Sequence, residues 1–123
     1  MHLIIEWIYQ ESMQTRYQLR KITVNSKLQE LQITWADGHH SRYPMEGLRN
    51  ACPCVLCQGG HDQMGKAVDP KIFLQSSGRK RAITDIVQIG HYAIQITWDD
   101  GHQNGIYRFE RLRDMCPVEH GLI

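Results

Sequence analysis

Long hydrophobic runs are missing from this 123-residue sequence. The first apolar stretch, Leu3-Ile4-Ile5, is cut by Glu6 and has no basic segment before it, so the sequence offers neither a signal peptide nor a membrane-spanning helix. The expected location is the cytoplasm. An excess of charge of one sign is also missing: fourteen Lys and Arg stand against thirteen Asp and Glu, a formal net charge of +1. That balance gives no electrostatic reason to expect nucleic acid or an anionic membrane as partner. Proline is scarce, at four residues, and there is no Gly-rich repeat, which excludes collagen-like and low-complexity classes. Cysteine is scarce too, but unevenly placed: three of the four lie within six residues, Cys52-Pro53-Cys54-Val55-Leu56-Cys57. Without an export signal, such crowding points away from a disulfide framework and toward metal or redox chemistry.

What is present is a soluble globular composition, 41% apolar and 22% charged, at the length of one domain. A chain of this size buries roughly two thirds of its unfolded surface and needs no partner to fold.

The sequence repeats itself. Leu31-Gln32-Ile33-Thr34-Trp35-Ala36-Asp37-Gly38-His39 recurs sixty-three positions on as Ile94-Gln95-Ile96-Thr97-Trp98-Asp99-Asp100-Gly101-His102. Leu48-Arg49-Asn50-Ala51-Cys52-Pro53 recurs sixty-four positions on as Leu112-Arg113-Asp114-Met115-Cys116-Pro117, so one residue is inserted between the blocks. In each copy, apolar and polar residues alternate toward Trp35 or Trp98, the period of a strand with one buried face. Asp-Gly then marks a hairpin. The return strands are predicted at His40 to Tyr43 and Gln103 to Phe109, with earlier strands at Lys21 to Val24 and Ile83 to Ile89. Short helices are predicted at Met45 to Ala51, stopped by Pro53, and at Glu110 to Met115, stopped by Pro117. The fold class is therefore α+β: a two-layer body of two pseudo-symmetric β-β-β-α units with antiparallel strands, its core around Trp35, Trp98, Ile33 and Ile96. Residues 1–16 read as an N-terminal extension, in which Leu3, Ile4, Trp7 and Ile8 have helical spacing. Residues 17–123 read as a single domain with repeat units at about 17–57 and 81–117. The connector Gln58 to Lys80 reads mostly as loop, and the basic run Gly78-Arg79-Lys80-Arg81 as a solvated turn.

Closely spaced thiolates can fill several corners of a zinc tetrahedron from one loop, and Cys52, Cys54 and Cys57 supply three. The candidates for the fourth corner are His102, Cys116, His61, His39 and His40. If the halves pack about a pseudo-twofold axis, the hairpin of one meets the helix end of the other, but spacing alone does not choose between His102 and Cys116. Cys116 reads otherwise as a small buried apolar residue. A Cys54-x-x-Cys57 redox pair is disfavoured because these cysteines follow a helix, where the dipole opposes a thiolate. Asp37 and Asp100 are accounted for by turn formation.

Trp-x-Asp-Gly-His in both halves, Tyr43-Pro44, Leu48-Arg49, Cys52-Pro53-Cys54-x-x-Cys57, Gly105-Ile106-Tyr107 and Leu112-Arg113 resemble the family called DUF971, the γ-butyrobetaine hydroxylase-like N-terminal domain, over roughly residues 17–117. In the hydroxylases this domain precedes a separate iron and 2-oxoglutarate dependent catalytic domain and holds a structural zinc through three cysteines and one histidine. The resemblance thus implies the ligands Cys52, Cys54, Cys57 and His102. No residues remain in this chain for the iron facial triad or its barrel, so catalysis by the chain alone is not expected. Related modules are joined to Mrp-type iron-sulfur carrier ATPases, which makes an iron or iron-sulfur accessory role the alternative to a zinc-binding interaction module. The expected partner is another protein, with a homodimer as one form of it; neither nucleic acid nor membrane is expected.

Overall fold

The computed structural model describes residues 15–52, 69–103 and 105–123. Two three-stranded antiparallel sheets carry the fold. The first joins β1 (Leu19–Asn25), β2 (Glu30–Trp35) and β3 (His40–Pro44) in that order, and the second joins β4 (Ile83–Ile89), β5 (Ala93–Trp98) and β6 (Ile106–Arg108). Each sheet is followed at once by a short helix, α1 (Met45–Asn50) or α2 (Phe109–Asp114). This is the expected pair of β-β-β-α units.

The central strands form where branched and aromatic residues alternate with polar ones. In β2, Leu31, Ile33 and Trp35 are buried while Gln32 and Thr34 lie on the other face; in β5, Ile94, Ile96 and Trp98 repeat the pattern. Both hairpins turn in the same way. Gly38 and Gly101 adopt φ of +92° and +84°, which only glycine enters without strain. Asp37 Oδ1 accepts the His39 amide at 3.2 Å, and Asp100 Oδ1 accepts the His102 amide at 3.0 Å. The edge strands share a bulge as well, between Leu19 and Lys21 in one copy and between Ile83 and Asp85 in the other.

The inner faces and the helices enclose one core. Trp35, Trp98, Ile33 and Ile96 are buried there, joined by Tyr43, Leu48, Phe109 and Leu112. Trp35 meets Phe109 of the other copy edge to face, with ring centroids 6.1 Å apart. The halves also exchange hydrogen bonds: Tyr43 donates to the Leu112 carbonyl, and Tyr107 donates to the Leu48 carbonyl at 2.9 Å. Each buried phenol thus satisfies a carbonyl of the other unit's helix.

Two details differ from the sequence reading. The return strand of the second copy is only Ile106–Arg108, and Phe109 opens α2. Phe109 matches Met45 in the repeat, so the helix takes it despite its alternation with Tyr107. The connector also contains a 3-10 helix, Pro70–Leu74, whose Asp69 cap accepts the Lys71 amide at 3.0 Å. It buries Phe73 against Tyr43, ring centroids 5.3 Å apart. Gly47 of α1 makes this approach possible, since a Cβ there would lie 2.0 Å from the Phe73 carbonyl oxygen. Beyond the 3-10 helix, Glu46 fixes the chain by accepting the Ser77 amide at 3.0 and 3.1 Å. No helix of the described residues is long and apolar enough to cross a membrane.

Candidate metal centre

Cys52 stands two residues past the end of α1, its amide bonded to the Arg49 carbonyl at 3.2 Å and its side chain fully buried. His102 leaves the second Asp-Gly turn. Its backbone is fixed twice, because its amide donates to Asp100 and its carbonyl accepts the Trp98 amide at 2.9 Å. Helix and turn are docked by an ion pair, Arg49 Nε to Asp100 Oδ2 at 3.2 Å, which Arg81 joins at 3.6 Å. The Asp100 carboxyl is held below its usual range first by the His102 amide and also by the charge of Arg49. The docking brings His102 Nε2 to 3.2 Å from Cys52 Sγ.

That separation fits two chemistries. It suits a weak thiol–imidazole hydrogen bond, and it is close to one edge of a zinc tetrahedron, about 3.5 Å for Zn–S and Zn–N lengths of about 2.3 and 2.05 Å. The donor set is a soft sulfur and a borderline nitrogen, as zinc prefers. Cys54 and Cys57, which the sequence reading adds to the site, lie outside the described residues, as does His61. Among the described residues no three His, Cys, Asp or Glu side chains gather as a metal site by themselves.

The duplication produces a second pair of the same kind. Cys116 follows α2 with its amide on the Arg113 carbonyl at 3.1 Å, and His39 Nε2 lies 3.4 Å from its sulfur. Arg113 grips Asp37 through both Nη atoms at 3.0 and 2.9 Å, as Arg49 grips Asp100. Burial, and then the charge of Arg113, hold His39 below its ordinary pKa. Cys116 Sγ accepts the Glu119 amide at 3.4 Å, and the Glu119 carboxylate is bound by Arg16 and Arg113. His40 is turned to Thr34 on the exposed side of β3, with Oγ1 and Nδ1 3.1 Å apart.

The γ-butyrobetaine hydroxylase-like N-terminal family model matches residues 22–117. The chain belongs to this family. A crystal structure of a DUF971 protein of unknown function from Acidithiobacillus ferrooxidans ATCC 23270 is 31% identical to this γ-butyrobetaine hydroxylase-like domain. The match covers 82% of this chain and 94% of that one, with a TM-score of 0.61. Two proteins known from NMR solution structures share the fold at 23% and 18% identity, with TM-scores of 0.63 and 0.56; both matches cover 85% of this chain and 76% of the other. No curated protein matches the domain.

The sequence reading did not find the two arginine–aspartate pairs that dock each helix end on the opposite turn. Their signal is present, since Leu-Arg and Asp-Gly-His recur in both halves, but the sequence reading assigns Asp37 and Asp100 to turn formation alone.

Proposed function

We propose that this domain is a non-catalytic, zinc-stabilised module, with Cys52, Cys54, Cys57 and His102 as the metal ligands, that serves another protein. The observation that carries this reading is the 3.2 Å approach of His102 Nε2 to Cys52 Sγ, made by residues from opposite halves of the repeat. Four protein ligands would close the tetrahedron and leave no position for substrate, so the metal's contribution is to stability. Thiolates of this kind require a reducing compartment, and the cytoplasm provides one.

The test is the metal content of protein purified without added metal, for the wild type and for Cys54→Ser, His102→Ala and Cys116→Ala. One equivalent of zinc in a colourless wild-type protein supports the proposal, as does loss of zinc in Cys54→Ser and His102→Ala with retention in Cys116→Ala. A brown, iron-containing preparation would replace it with the iron or iron-sulfur accessory reading. Zinc that survives both Cys54→Ser and His102→Ala would end the ligand assignment.

A further inference from the structure

An open cleft of about 360 Å³ lies between the β1–β2 turn, the start of α1 and the chain that runs from the 3-10 helix to Lys80. Buried Met45 and Phe73 line it, and so do Leu28 and Leu74, which are 59% and 38% exposed. Single exposed leucines are ordinary, but two that share a concavity with buried apolar side chains mark a place where a further apolar group can leave water. The walls are fixed by Gln29. Its carbonyl accepts the Met45 amide at 2.8 Å, and its side-chain oxygen accepts the Arg81 amide at 2.7 Å. Gln29 does this at φ +56°, a left-handed conformation that glycine, in the form of Gly90, supplies in the β4–β5 turn. A glycine at position 29 would enter the turn freely but could not clamp the basic segment.

The charges that line the cleft are unequally committed. Glu46 accepts from Ser76 and Ser77, and Glu30 from Gln32 at 3.2 Å with Arg42 at 3.6 Å. Arg79 and Lys80, by contrast, are exposed and make no ion pair among the described residues. We propose that this cleft docks an extended segment of another protein in which one large apolar side chain is flanked by Asp or Glu. The apolar side chain covers Leu28 and Leu74, and the carboxylates meet Arg79 and Lys80. The inference deepens the reading of a module that serves another protein, and it rests on that part of the reading. A concave site with two free cations in a chain of net charge +1 suits one acidic segment, whereas a lipid surface or nucleic acid calls for a broad basic face.

The probes are short peptides in which a single Leu, Ile, Met or Phe adjoins a run of Asp and Glu. One control set carries Lys in place of the acidic residues, and another carries Ser in place of the apolar one. Titrated into the ¹⁵N-labelled full chain, the acidic peptides should shift the amides of Gln29, Met45 and Arg81, and added salt should weaken binding. Lys80→Glu and Leu28→Ser should each weaken it about tenfold, with zinc content and melting temperature unchanged. Equal binding of the Lys peptides, shifts confined to another face, or no binding by any acidic peptide would overturn the proposal. Leu28-dependent self-association in sedimentation would overturn it in favour of a second copy, and Lys80-dependent binding to phosphatidylserine vesicles without peptide binding in favour of a lipid surface. Peptide binding at the cleft by wild type that holds no zinc supports this inference and ends the metal-centre reading. Wild type with its zinc that binds no peptide ends this inference alone.

Discussion

Replacing Glu119 by Gln removes the hub of an ion-pair network while keeping the side chain's shape. Glu119 receives Arg16 Nη1 at 3.0 Å and Arg113 Nε at 3.3 Å, so it joins the segment before β1, helix α2 and the C-terminal turn. Arg16 first, and then Arg113, hold its carboxyl down to about 2 from an ordinary 4.5. A shift of about 2.5 units corresponds to an upper bound of about 3.4 kcal/mol at 1.36 kcal/mol per unit. Because a third of the Glu119 side chain is exposed, solvent screening reduces this to roughly 1–2 kcal/mol. The folded-state pKa is depressed, so the contribution is complete above about 4.5 and fades as the pH falls toward 2. At pH 3 less than half of it remains. Urea unfolding followed by tryptophan fluorescence should therefore show Glu119→Gln to be roughly 1–2 kcal/mol less stable than wild type at pH 7. The gap should shrink below half that value at pH 3. A gap of equal size at both pH values would show that the loss comes from packing and would refute the electrostatic account.

Gly47→Ala should push the 3-10 helix off α1, because the new Cβ would meet backbone at 2.0 Å; a loss of about 1–3 kcal/mol in thermal or urea unfolding is expected, with faster proteolysis near Phe73. Ser41→Ala should cost about 1–3 kcal/mol by stranding the Trp35 N–H; a variant as stable as wild type would mean the indole finds another acceptor. Tyr43→Phe and Tyr107→Phe should each cost about 1–2 kcal/mol, since each leaves a helix carbonyl of the opposite half without its phenol. Finally, chelation of metal from wild type should lower its melting temperature, whereas the same treatment should leave His102→Ala unchanged.

The architecture was legible in the sequence because its signals are local. Alternation toward Trp35 and Trp98 marks the strands, and Asp-Gly marks the turns, each within a window of a few residues. The start of α2 was misread because Tyr107 and Phe109 continue a period-two pattern into the first turn of the helix. The 3-10 helix was missed for the opposite reason: Asp69-Pro70 is a valid start signal, but five residues are too few to show a period. At the candidate metal centre, the crowded cysteines single out Cys52 in the sequence, whereas its meeting with His102 is only one outcome of a supposed symmetric packing. Contacts such as Arg49 with Asp100 and Tyr107 with Leu48 join residues some fifty to sixty positions apart. No periodicity encodes such pairings, and only the repetition of both partners in both copies hints at them.

The exchange of contacts between the halves has a consequence for how such a chain can arise. Tyr43 reaches the helix of the second unit while Tyr107 reaches the helix of the first, and Arg113 with Asp37 mirrors Arg49 with Asp100. A surface that binds its own equivalent in this reciprocal way is the isologous interface of a twofold dimer. A single β-β-β-α unit would therefore leave half of these partners empty alone and fill all of them by pairing with a copy of itself. Two identical subunits would also be forced to carry two identical thiol–imidazole corners. Joined in one polypeptide, the corners are released from that constraint. In sequence, one is followed by two further cysteines, Cys54 and Cys57, while the other has Glu119 beside it, bound by two arginines, a difference that no symmetric dimer can encode.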